Sequence, residues 1–125
     1  MTIHIPISLG ELIDKITILK IKTTKITDPT KLKYLHYELI LLENIKTQQN
    51  LNIDLTHLEQ ELLNINTELW HIEDAKRYHE KQQLFDQDFI QLARNVYLKN
   101  DQRARIKQEI NKLVDSTIQE IKNHF

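Results

Sequence analysis

Leu51, Leu55, Leu58, Leu62, Ile65, Leu69 and Ile72 step along the chain by four, three, four, three, four and three residues. That alternation is a heptad seam on one side of a helix. It predicts a helix over about 54–82, roughly 43 Å long at 1.5 Å per residue. In a chain of 125 residues such a helix must protrude or find a partner. Past Ile72 the seam positions pass to Lys76 and His79, so the packing has to change there. Upstream, over about 29–49, Leu32, Leu35, Leu39 and Leu42 keep the same alternation. The two segments therefore read as a long central antiparallel hairpin.

The chain opens differently. Ile3, Ile5 and Ile7 alternate around Pro6, the pattern of an extended arm or edge strand that must pack on helices or pair with another chain. Ser8-Leu9-Gly10-Glu11 then matches a helix-starting capping box. The helix that follows, about 8–26, carries Leu9, Leu12, Ile13, Ile16 and Leu19 at helical spacing, with Ile18 and Ile21 widening the stripe, so it is buried on two sides. Asp28-Pro29 ends that helix and starts the next. Near the C-terminus, Phe89, Leu92, Ala93 and Val96 define a helix over about 86–99. Asn100-Asp101 breaks the pattern, and Asp101 caps a fifth helix over about 101–115 with Ile106, Ile110, Leu113 and Val114 on one face. The expected fold is a single all-α domain: a bundle of four to five helices with a short extended arm at residues 1–7.

Composition narrows the chemistry. Thirty-six leucines and isoleucines stand against one glycine, two prolines and no cysteine. A single glycine rules out a glycine-rich phosphate loop or a dinucleotide-binding turn. Without cysteine there is no disulfide, thiolate zinc site or thiol nucleophile, which suits a cytoplasmic location. The longest apolar run, Leu39 to Leu42, is far too short to span a membrane. Net charge is −1, so no overall field draws the chain to nucleic acid. The one basic cluster, Lys20 to Lys33, lacks the arginines and interleaved aromatics of a nucleic-acid surface.

No complete catalytic constellation emerges. Glu68-x-x-His71 has the spacing of a di-iron helix motif, but its nearest counterpart, Asp54-x-x-His57, lies on the same predicted helix. Glu11 and Asp14 supply one acidic pair of a magnesium-dependent nucleotide pyrophosphohydrolase, and no second pair of acids three apart exists. Lys15, Arg77, Arg94 and Arg103 are the cations available to clasp a small dicarboxylate, a thin set in a chain with four arginines. No metal or cofactor is expected. The best candidate cluster is Trp70, Glu73, Asp74, Arg77 and Tyr78, in which positions 70, 73, 74 and 77 share a helical face offset from the seam. A second polar group, Arg94, Tyr97, Asn100, Asp101 and Arg103, surrounds the expected break.

Three stretches also resemble a known family. Gly10-Glu11-Leu12-Ile13-Asp14-Lys15-Ile16-Thr17-Ile18-Leu19 is similar to the opening motif of an uncharacterised bacterial family, domain of unknown function 6165. Leu69-Trp70 with Ile72-Glu73-Asp74 and Arg77 resembles its middle motif; Phe89-Ile90, Leu92-Ala93-Arg94, Val96-Tyr97, Asn100-Asp101 and Arg103-Ala104 resemble its last. Lys20, His71 and the terminal Asn123-His124-Phe125 depart from the family pattern, which has acids at the first two places and an acidic, tyrosine-ended tail. The resemblance implies a soluble, largely helical bacterial protein and no particular activity. It directs attention to the polar residues within the motifs: Glu11, Asp14 and Lys15; Trp70, Glu73, Asp74 and Arg77; Arg94, Tyr97, Asn100, Asp101 and Arg103. If these form one site, they should converge in the fold. The expected function is a non-catalytic interaction or scaffolding module, a homodimer or a partner of another protein. The alternative is a small-ligand binder or metal-dependent enzyme acting on a phosphorylated or nucleotide substrate.

Overall fold

Ser8 starts the first helix as its position suggests: its hydroxyl accepts a hydrogen bond from the Glu11 backbone N–H at 3.1 Å. In the computed structural model, which describes residues 1–124, this helix is α1 (Leu9–Lys25). It is followed by α2 (Pro29–Gln48), α3 (Thr56–Gln82) and α4 (Gln87–Leu113). Asp28 precedes α2 with Pro29 at the first helical position, but its carboxylate makes no capping bond. Residues 1–7 form an arm without strand pairing, with Ile3 and Ile5 exposed. Of the terminal Asn123-His124-Phe125, Phe125 lies outside the described residues.

The chain is all-α, with two corrections to the expected arrangement. First, α4 is one helix of 27 residues with no break at Asn100-Asp101. Asn100 Oδ1 accepts from Arg103 Nη1 at 3.4 Å, and the Asp101 carboxylate meets Lys122 Nζ at 3.4 Å. Both side chains find partners outside the backbone, so neither competes for it as an interrupting cap would. Second, the long hairpin is α3–α4 rather than the helices predicted over 29–49 and 54–82. Gln83, in the left-handed conformation, and Asp86, which accepts from the Phe89 N–H, turn the chain tightly between equal arms. The leucine seam thus faces α1 and α4, while α2 packs along α1.

Helix α1 is the hub, in contact with each of the other three. It runs antiparallel to α4, since Gly10 meets Asn111 and Asp14 meets Arg103, and alongside α3, where Asn66 reaches Asp14 and Thr17. The apolar core joins Ile13, Leu55, Leu62, Ile106 and Ile110, with Leu9, Leu58 and Ile65 packed against it. Lone Gly10 sits where α1 crosses α4: a β-carbon there would lie 2.7 Å from the Lys107 carbonyl oxygen. At about 40 Å the arms of the hairpin outrun α1, and their tip carries exposed Tyr78, Leu84, Phe85 and Ile90. After Val114 the chain folds back on α4, Gln108 Nε2 donating to the Glu120 carbonyl at 3.0 Å.

Candidate functional site

A row of polar side chains runs through the interface of the three packed helices. Asp14, at 1 % exposure, lies at its centre. Its Oδ1 accepts from Asn66 Nδ2 at 2.8 Å and from Arg103 Nε at 2.9 Å, and its Oδ2 accepts from Arg103 Nη2 at 2.5 Å. The guanidinium is therefore held in a bidentate fork, the strongest geometry for this pair. One turn along α4, buried Lys107 reaches Glu11 at 2.7 Å and Glu120 at 3.1 Å, with Asp14 at 3.8 Å. One turn further, fully buried Asn111 accepts the Gly10 N–H at 2.8 Å, relieving one of the orphan donors at the start of α1. The Asn111 amide nitrogen has no partner among the described residues.

Electrostatics follow from these contacts. The hydrogen bonds to Asp14 raise the Arg103 pKa further, against the opposing effect of burial. Burial pulls the Lys107 pKa down, but its hydrogen bonds to Glu11 and Glu120 and the charge of Asp14 outweigh that, and the net shift is upward. Both cations remain charged at neutral pH. Glu11 and Asp14, the acidic pair considered for magnesium, are thus engaged by arginine and lysine rather than open to a metal. Glu68 is likewise occupied by Lys99 at 2.7 Å, and His57 by Glu61 at 2.9 Å. Among the described residues, no three His, Asp or Glu side chains cluster closely enough to hold a metal ion.

Arg103 joins this buried row to an open cleft of about 470 Å³ between α1 and α3. Asn66, Trp70, Glu73, Asp74 and Arg77 line one wall, one face of α3 at helical spacing, and Ile18 and Ile21 of α1 line the other. The structure therefore brings Glu11, Asp14, Trp70, Glu73, Asp74, Arg77, Asn100 and Arg103 into one connected region. The remaining candidates lie apart. Lys15 is exposed and pairs with Glu11 at 3.6 Å. Tyr97 and Asp101 line a second groove of about 720 Å³ beneath the C-terminal segment, which Asn100 also borders, and Arg94 is exposed on the protruding half of α4. The proposed dicarboxylate clasp does not assemble, because Lys15 and Arg94 share no cavity with Arg77 and Arg103.

This geometry brings part of each motif together around Asp14 and Arg103: Glu11 and Asp14 of the first, Trp70, Glu73, Asp74 and Arg77 of the middle, and Asn100 and Arg103 of the last. A family model described as "Family of unknown function (DUF6165)" matches residues 3–124. The chain belongs to this family. No curated protein and no solved structure matches it. The match brackets the arm, all four helices and the returning C-terminal segment, so the family is defined over the whole bundle. No helix among the described residues is long and apolar enough to cross a membrane.

Sequence reasoning missed Thr17, Asn66, Lys107 and Asn111. A signal for all but Asn66 was present. Arg103, Lys107 and Asn111 recur every four residues on α4, and Glu11, Asp14 and Thr17 every three on α1. Two polar stripes at helical spacing, unlike in charge, are what a buried polar seam between antiparallel helices requires.

Proposed function

We propose that the protein is a non-catalytic interaction module that pairs with a second copy of itself through α2 and the N-terminal arm. One observation carries the reading: α2 has no fully buried residue, although it is rich in leucine, isoleucine and tyrosine. Tyr34, Tyr37 and Ile40 are 74 %, 70 % and 59 % exposed. Exposed large apolar side chains that are contiguous, rather than scattered, mark contact surfaces, and tyrosine is enriched in them. Beside this face, a groove of about 560 Å³ runs between the arm and α2, lined by Ile5, Leu9, Leu41, Leu42 and Ile45. A second copy suits it electrostatically. Lys31 and Lys33 lie at the start of α2 and Glu38 lies at its middle. An antiparallel two-fold pairing centred near Tyr34 and Tyr37 sets these unlike charges of the two copies together.

Sedimentation equilibrium tests this on the intact chain. Wild type should be dimeric, and Tyr37→Glu with Ile40→Glu should be monomeric with unchanged helical circular dichroism, because both side chains are exposed. A compact wild-type monomer at every concentration would refute the proposal.

A further inference from the structure

We infer that the cleft between α1 and α3 binds a neutral sugar ring, a hexose or N-acetylhexosamine. Four observations converge. The cleft, at about 470 Å³, has the size of small-molecule pockets. Its polar groups sit beside an aromatic plane: half-buried Trp70 supplies an indole surface, and Ile18 and Ile21 face it across the opening. A pyranose has the same division, with C–H groups on its faces and hydroxyls on its rim, and an indole face suits the former.

The polar groups are arranged for hydroxyls. Asp74 only accepts hydrogen bonds and Arg77 only donates them. They stand three residues apart on α3, so they share a face, and neither has an ion-pair partner among the described residues. A hydroxyl both donates and accepts, and a neighbouring pair of hydroxyls is satisfied by one such acceptor and one such donor. Deeper in, Asn66 is 5 % exposed and directs its amide N–H groups to Asp14 and Thr17, each at 2.8 Å. Its carbonyl oxygen is the atom left for the cleft. Arg103 is held in place from behind by Asp14, so its remaining N–H groups form a fixed donor at the floor. Preorganised donors lose little entropy on binding.

Charge decides against a polyanionic ligand. Around the cleft Arg103 is neutralised by Asp14, Glu73 by Lys76 at 3.3 Å, and Arg77 stands against Asp74 in formal charge. The balance is zero, so no net field recruits a nucleoside polyphosphate.

The test uses the chain's only tryptophan, which lies in the cleft. Intact protein is titrated separately with glucose, galactose, mannose and N-acetylglucosamine while tryptophan emission is recorded. Glucose 6-phosphate, AMP, inorganic phosphate and glycine form the charged arm. At least one neutral sugar should change the emission saturably. Asp74→Ala, at an exposed position where the helix tolerates it, should weaken that sugar by about tenfold or more, the equivalent of ~1.4 kcal/mol. Saturation-transfer NMR on Trp70→Ala, which needs no fluorescence, should lose the signal as well. A response confined to the charged arm, a response to no compound, or sugar binding untouched by Asp74→Ala would each overturn the assignment.

Discussion

Replacing Gly10 by alanine should destabilise the fold, although helix propensity alone points the other way. Within a helix alanine is favoured over glycine by up to about 1 kcal/mol, and Gly10 has no positive φ that would penalise a side chain. Space is what it lacks. An alanine β-carbon would lie 2.7 Å from the Lys107 carbonyl oxygen, 2.8 Å from Asn111 Oδ1 and 3.2 Å from Lys107 Cα. The first and last of these are backbone atoms of α4 and cannot rotate away. The helices must separate by roughly half an ångström or more to restore ordinary contact distances. That separation strains the 2.8 Å bond from the Gly10 N–H to Asn111, whose amide nitrogen is already without a partner. Overpacking costs about 1–3 kcal/mol and a buried bond broken on both sides another ~1–3 kcal/mol. After subtracting the propensity gain of about 1 kcal/mol, we expect a loss of roughly 1–5 kcal/mol, centred near ~3 kcal/mol. Urea unfolding followed by helical circular dichroism should show the midpoint falling by about 1 M or more with the slope unchanged. Repeating the substitution in an Asn111→Ala background separates the hydrogen-bond share from the backbone clash. A Gly10→Ala protein as stable as wild type, or more so, would refute the close crossing of α1 and α4.

Two further outcomes follow from the core and the buried row. Leu62 has no exposed surface and sits among Ile13, Leu55, Ile106 and Ile110, so Leu62→Ala should cost roughly 2–5 kcal/mol in the same assay; a cost near zero would mean the seam is not packed. Lys107 has its pKa raised above the ordinary 10.5 in the folded state, so its stabilisation is fully present below pH 10.5 and is lost as pH rises through the folded value. Thermal unfolding should therefore fall more steeply above that pH in wild type than in Lys107→Met, and equal slopes would contradict the buried pairing.

Local rules carried the helix starts and the class. The capping serine, Asp28-Pro29 and the leucine spacing depend only on neighbours a few residues away, and each appears at its expected place in the fold. Where prediction failed, the deciding contact was distant. Asn100-Asp101 reads as a break because both residues favour caps, yet α4 runs through it, with Asp101 engaged by Lys122 of the returning C-terminal segment and Asn100 by Arg103 one turn on. The seam from Leu51 to Ile72 has a phase but no address. Its spacing points to the preceding helix as partner, while the tight turn at Gln83–Asp86 gives it to the following one. The site followed the same division. Trp70, Glu73, Asp74 and Arg77 share a face by helical period alone, whereas the fork between Asp14 and Arg103 spans 89 positions and depends on how α1 lies across the hairpin.

The alternation of apolar and polar positions by itself determined that this chain would be helical, where most helices begin, and the phase of each apolar stripe, because a helix period is a property of neighbours; the stripe of α2 stays without a fully buried residue. Tertiary structure decided which stripes meet. The burial of Asp14, the confinement of Gly10 and the opening of a cleft beside Trp70 each arise from two or three helices crossing at a set distance, and no run of adjacent residues encodes that distance.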